Sequence, residues 1–126
     1  MYQKRTDDEQ HFFDLEENLG TQFVSEAKNM TGLVLKDAGM HLDRNVLFKQ
    51  QESLERALER IWSGVEEGRI EVECLPVLRL VRSVSFPEIS RKLRAPEIDH
   101  AKVIRELRLM VNTFQYVIKP KSSHYH

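Results

Sequence analysis

One cysteine, Cys74, is all that the 126 residues carry. A single thiol forms no intrachain disulfide and assembles no thiolate zinc cluster within one subunit. A reducing compartment is the simplest expectation from it. Long hydrophobic runs are missing as well: a helix that spans a bilayer needs roughly 18 consecutive apolar residues, and no such run occurs. The opening MYQKRTDDEQ is charged where a secretory signal requires an apolar stretch. These absences predict a cytoplasmic protein with no membrane partner. Glycine and proline are sparse, at 5 and 4 residues, which removes the collagen-like and low-complexity classes and leaves room for long helices.

The length suits one hydrophobic core and is too short for two ordinary ones, so a single helical domain is expected over residues 1–126. Charged residues make up 31% of the chain, a little above the usual share of about 25%, which favours helices laced with ion pairs. The net charge of −1 conceals an asymmetry: residues 1–68 hold 8 Lys/Arg against 14 Asp/Glu, whereas residues 69–126 hold 11 against 6. In one reading, helices of opposite sign pack side by side or pair between subunits and their fields cancel. In the other, the basic half faces an acidic partner such as nucleic acid. A sequence pI near 6.5, far from the values above about 9 typical of nucleic-acid binders, favours the first.

Apolar periodicity is the strongest positive signal. Phe12, Leu15, Leu19, Phe23, Ala27 and Met30 recur at intervals of three or four, which predicts a helix over residues 7–30. Asp7 or Asp8 would cap it, and Gly20 interrupts the pattern without shifting its phase. From Asn29 to Arg44 the spacing predicts a short helix or a turn-rich connector, with Thr31 as a cap and Gly39 as a left-handed terminator. A second long helix over 43–67 follows from the seam Leu47, Leu54, Leu58, Ile61 and Val65, closed by Gly68. Trp62 lies beside that seam and is expected to be partly buried against a neighbouring helix, with an interface anchor as the second reading.

Ile70, Val72 and Cys74 alternate with charged residues as a strand would, yet a strand here has no partner unless a second subunit supplies one. Extended chain leading into a short helix at 75–84 is favoured, with Pro76 in its first turn and Val77, Leu80, Val81 and Val84 on one face. A further short helix follows, opened by Pro87, capped by Ser85 and carrying Phe86, Ile89 and Leu93. Pro96 and Pro120 bracket the last long helix, 96–118, in which Ile98, Ala101, Ile104, Leu107, Val111, Phe114 and Ile118 repeat at helical spacing. Residues 119–126 read as a flexible tail. The expected fold class is all-α: an antiparallel helical bundle of three long helices (about 7–30, 43–67 and 96–118) with two or three short ones.

Little in the sequence points to catalysis. Glu97 with His100 and Asp8 with His11 place a carboxylate and an imidazole at i,i+3, but both acidic residues lie in first turns, where they serve the helix dipole without a metal. Cys74 has no Gly-rich elbow or base near it in the chain, and His124 and His126 belong to the tail. A non-enzymatic protein with no cofactor and no metal is expected. Its leading function is a protein–protein interaction module, adaptor or regulatory subunit, whose partner is another protein or a second copy of itself, met through Leu54, Leu58, Ile61 and Trp62. The alternative is a helix-turn-helix-like nucleic-acid-binding regulator. Residues 85–107 outline two helices joined by a turn of three or four residues, and the basic face of 79–108 offers Arg91, Lys92, Arg94, Lys102, Arg105 and Arg108.

Overall fold

The structure is a computed structural model that describes residues 7–72 and 75–115, with side chains described over 19–72 and 75–114. Five α-helices follow in chain order: α1 (Asp7–Met40), α2 (Arg44–Glu66), α3 (Leu75–Leu80), α4 (Phe86–Leu93) and α5 (His100–Gln115), with a π-helical turn, Val81–Ser85, joining α3 to α4. They pack against each other as an all-helical bundle, and the described residues hold no strand. Val72 is an isolated bridge residue and Ile70 belongs to no bridge, so neither lies in a strand, and Cys74 lies outside the described residues.

α1 stands between α2 and α5, and both run antiparallel to it. The α1–α2 hairpin turns within residues 41–43, and Gln50 on α2 donates to the Glu26 carbonyl and carboxylate on α1 at 3.0 and 2.6 Å. On the other side, His100 meets Asp37 near one end of α1 while Phe114 stacks on Phe23 further back, ring centroids 4.2 Å apart. Such pairs fix the register of each helix against α1. The core lies along this three-helix contact: Phe23, Met30, Val34, Leu47, Leu54, Leu58, Ile61, Val103, Leu107 and Phe114 are all buried.

α1 is 34 residues long and so does not end near residue 30. Thr31 and Gly39 are interior helical positions; the Thr31 hydroxyl donates to the Ala27 carbonyl at 3.0 Å in place of capping a new helix. The residue that turns the chain left-handed is His41, at φ 50°, whose amide closes the helix on the Asp37 carbonyl at 3.0 Å. Asp43 then caps α2 by accepting from the Asn45 amide at 2.9 Å. Gly68 ends α2 as the sequence predicts. It sits at φ 77°, its amide bonds to the Val65 carbonyl, and the Arg69 amide reaches back to the Gly64 carbonyl at 2.8 Å, the paired bonds of a Schellman close.

The expected pair of short helices is one continuous helical run. Ser85 has helical dihedrals and caps nothing; the Phe86 amide instead bonds to the Val81 carbonyl five residues back. The cause is Pro87, whose ring would strike the carbonyl four residues earlier in a regular helix. Widening one turn to π geometry lets the helix pass the proline without breaking. Leu78 and Val81 are buried, whereas Leu80 and Val84, expected on the same inner face as Val81, are 54% and 49% exposed: Leu80 lies two residues from Leu78, on the far side of an ordinary helix, and the wider turn carries Val84 off the inner face.

The last helix starts at His100, four residues after the expected Pro96. Asp99 is its cap, accepting from the Lys102 amide at 3.2 Å, so residues 94–99 form a six-residue bend in which Glu97 is exposed. Arg44, at the head of α2, donates to the Leu93 carbonyl at 3.0 Å and the Pro96 carbonyl at 2.9 Å, pinning that bend. Residues 116–118 of the expected helix and the 119–126 tail lie outside the described residues.

Candidate functional site

Leu54, Leu58 and Ile61, expected to meet a partner, are 1%, 1% and 0% exposed and fill the chain's own core. Their even spacing along α2 reflects packing against α1 within one subunit, so they form no part of a surface. Trp62 is half-buried against that core, and the Arg82 guanidinium lies 4.7 Å above its ring. Arg82 is held there by a two-pronged contact with Glu59, at 2.9 and 3.0 Å. Trp62 thus meets a neighbouring helical element of its own chain, the first of its two readings.

The six basic residues of the alternative divide. Arg91 pairs with Glu88 one turn away on α4, and holds that carboxyl below its ordinary range. Lys92 reaches Glu106 on α5 at 2.6 Å, a contact whose side chains are 19% and 28% exposed, and it stitches α4 to α5. The remaining four are exposed: Arg94 in the bend, and Lys102, Arg105 and Arg108 on the outer face of α5. Lys102 adds to the pull on Glu88, while Arg105 and Arg108 have no ion-pair partner among the described residues.

The two faces of α5 are sharply divided. Inward go Val103, Ile104, Leu107, Met110, Val111 and Phe114; outward go Ala101, Lys102, Arg105, Arg108, Leu109 and Asn112. Ala101, expected in the buried stripe, is on the outside. Leu109 is an exposed apolar residue on this outer face that the periodicity does not single out. It falls out of phase with the buried stripe, is 64% exposed, and sits one turn from Arg105 and two turns from Lys102, whose Cα atoms are spaced by about 10 Å along the axis. Its signal in the sequence was a leucine placed directly after arginine at 108 within a basic stripe.

Elsewhere, a shallow groove of about 780 Å³ runs between α1 and α2, lined by Leu19, Gln22, Glu52, Glu55, Arg56 and Arg60 among others. Its charges are of both signs, and Arg60 is engaged with Gln22 at 3.3 Å. The described residues contain no group of three His, Cys, Asp or Glu side chains able to hold a metal ion. His100, half of the Glu97–His100 pair, spends its Nε2 on Asp37 at 2.6 Å, and no described hydroxyl bonds to its ring. Asp8 and His11 have no described side chains. No described helix is long and apolar enough to cross a membrane.

No family model, no curated protein and no solved structure matches this chain. The functional reading therefore rests on the residues themselves.

Proposed function

We propose that this chain is a non-enzymatic protein–protein interaction module, an adaptor or regulatory subunit of the cytoplasm, that meets its partner through the outer face of α5. Leu109 carries the reading. A solvent-exposed leucine is ordinary by itself, but this one lies on a ridge with Lys102, Arg105 and Arg108, and among the described residues no acidic side chain pairs with Arg105 or Arg108. Covering a leucine is worth about 1.5–3 kcal/mol, and surrounding cations select which surface covers it. The single cysteine supports the cytoplasmic part of the reading.

The test compares the native chain with Leu109→Glu and Arg105→Glu by sedimentation and by cross-linking in whole-cell extract. Native chain is expected to associate, with itself or with one defined partner, and both variants are expected to lose that association while melting at the native temperature. Leu107→Ala, on the buried face, serves as the control and is expected to cost about 2–5 kcal/mol of stability. Association that survives both surface substitutions overturns the reading.

A second reading, a helix-turn-helix-like regulator bound to DNA or RNA, is favoured by the exposure of Arg94, Lys102, Arg105 and Arg108 together. Such binding weakens steeply with salt. Absence of any mobility shift with mixed DNA and RNA at low salt removes it.

A further inference from the structure

The partner's chemistry can be argued from the same ridge, and this inference rests on the reading just given. Along α5, Lys102, Arg105, Leu109 and Asn112 are spaced i, i+3, i+7 and i+10, the spacing with which one helix presents a seam to another. Three features of that seam constrain what fits it. Cations occupy its first two positions and Arg108 flanks it, so a facing helix must bring carboxylates to that end. Leu109 follows, 64% exposed, so the facing helix needs an apolar side chain one turn further along. Asn112 ends the seam with a group that hydrogen-bonds but carries no charge.

Self-pairing is disfavoured by the same pattern. Two copies set parallel bring Lys102 and Arg105 against their equivalents, and like charges directly opposed are destabilising. Two copies set antiparallel put arginine against leucine and lysine against asparagine, which buries a cation beside an apolar side chain with no counter-ion. Nucleic acid satisfies the cations and leaves Leu109 with nothing apolar to meet. We infer that the outer face of α5 docks an acidic amphipathic helix of another protein, one whose carboxylates at i and i+3 or i+4 precede a leucine-sized apolar residue.

The experiment titrates the 126-residue chain into labelled synthetic helices of one length: an acidic amphipathic helix with glutamates spaced about a leucine, the same helix with glutamine for glutamate, the same with lysine for glutamate, and a polyglutamate without the leucine. A DNA duplex is included. The acidic amphipathic helix is expected to bind tightest, and raising salt from about 50 mM to about 300 mM is expected to weaken it about 10-fold. Leu109→Ala should weaken it by about 10-fold and bring it level with polyglutamate. Arg105→Glu with Arg108→Glu should abolish it, and Glu52→Gln on the opposite side of α1 should leave it unchanged. Stronger binding to the glutamine helix, still lost in Leu109→Ala, overturns the acidic partner while keeping α5 as the contact. Equal binding to polyglutamate by native chain and Leu109→Ala, stronger binding to DNA, or no binding to any helix overturns the inference. A partner from extract lost on α5 substitution would then still uphold the module.

Discussion

Asp37 and His100, 63 residues apart in the chain, meet at 2.6 Å where the end of α1 touches the head of α5. Asp37 is 5% exposed, and its other oxygen accepts from the Leu42 amide at 2.8 Å in the middle of the α1–α2 turn. One carboxylate therefore ties three parts of the bundle. The hydrogen bond from His100 and that from Leu42 hold the Asp37 carboxyl below its ordinary range, against the opposing effect of burial.

Because the folded state lowers that pKa, the carboxylate stabilises the fold at pH values above the ordinary carboxyl range, and its contribution is lost as acid protonates it in the folded state. Denaturant melts of native chain and Asp37→Asn between about pH 7 and about pH 3 should show a stability difference that is full at neutral pH and shrinks below about pH 4. Asp37→Ala, which also strands the Leu42 amide, should cost about 1–3 kcal/mol at neutral pH. A gap between native and Asn forms that does not change with pH would refute the assignment.

A second expectation concerns Gly64, which is buried in α2 under Ile70. A Cβ at position 64 would come within 2.8 Å of Ile70 Cγ1 and closer still to its Cδ1. Alanine gains about 1 kcal/mol of helix propensity over glycine, but overpacking here costs about 1–3 kcal/mol. Gly64→Ala should therefore destabilise the native chain, and the same substitution should stabilise an Ile70→Ala background. Urea midpoints for the four proteins give the coupling; additive values would show that the two sites do not meet.

Trp62 is the one tryptophan of the chain, so its fluorescence reports on the Arg82 guanidinium above it. Arg82→Met keeps the apolar stem and removes the charge and the fork that Glu59 holds. The substitution should change Trp62 emission and cost about 1 kcal/mol, the sum of a half-exposed ion pair and a cation–π contact. Glu59→Gln should shift the emission in the same direction by less. Unchanged spectra in both variants would mean that Arg82 does not cover the ring.

Much of the bundle is written in the spacing of its apolar residues. Leu47 on α2, and Ile104, Leu107, Val111 and Phe114 on α5, are buried as that spacing predicts, whereas Leu54, Leu58 and Ile61, expected at a partner, fill the same core. The second half of α1 was hidden for a definite reason. Its buried row runs Phe23, Ala27, Met30, Val34 and then Asp37, and a carboxylate in the last place makes the row look finished. Gly32 and Gly39, which suggest a break, both face outward with open space around them, so each weakens the helix by about 1 kcal/mol relative to alanine and burial of Met30 and Val34 outweighs them. The π turn was hidden because proline reads locally as a start, and only the carbonyl behind it reveals a detour. The outer face of α5 was the least legible part: periodicity reports which side chains are buried, and Leu109 stands 64% exposed outside that stripe.

Arg44, at the head of α2, holds the bend between α4 and α5 across separations of 49 and 52 residues. That bend cannot acquire its final shape until the α2 head has been brought to it, which requires closing a loop of about 50 residues and meeting its entropy first. The order of assembly is thereby biased: the α1–α2 hairpin, made of near neighbours, forms early, and α5 docks last, upon a latch that the hairpin presents.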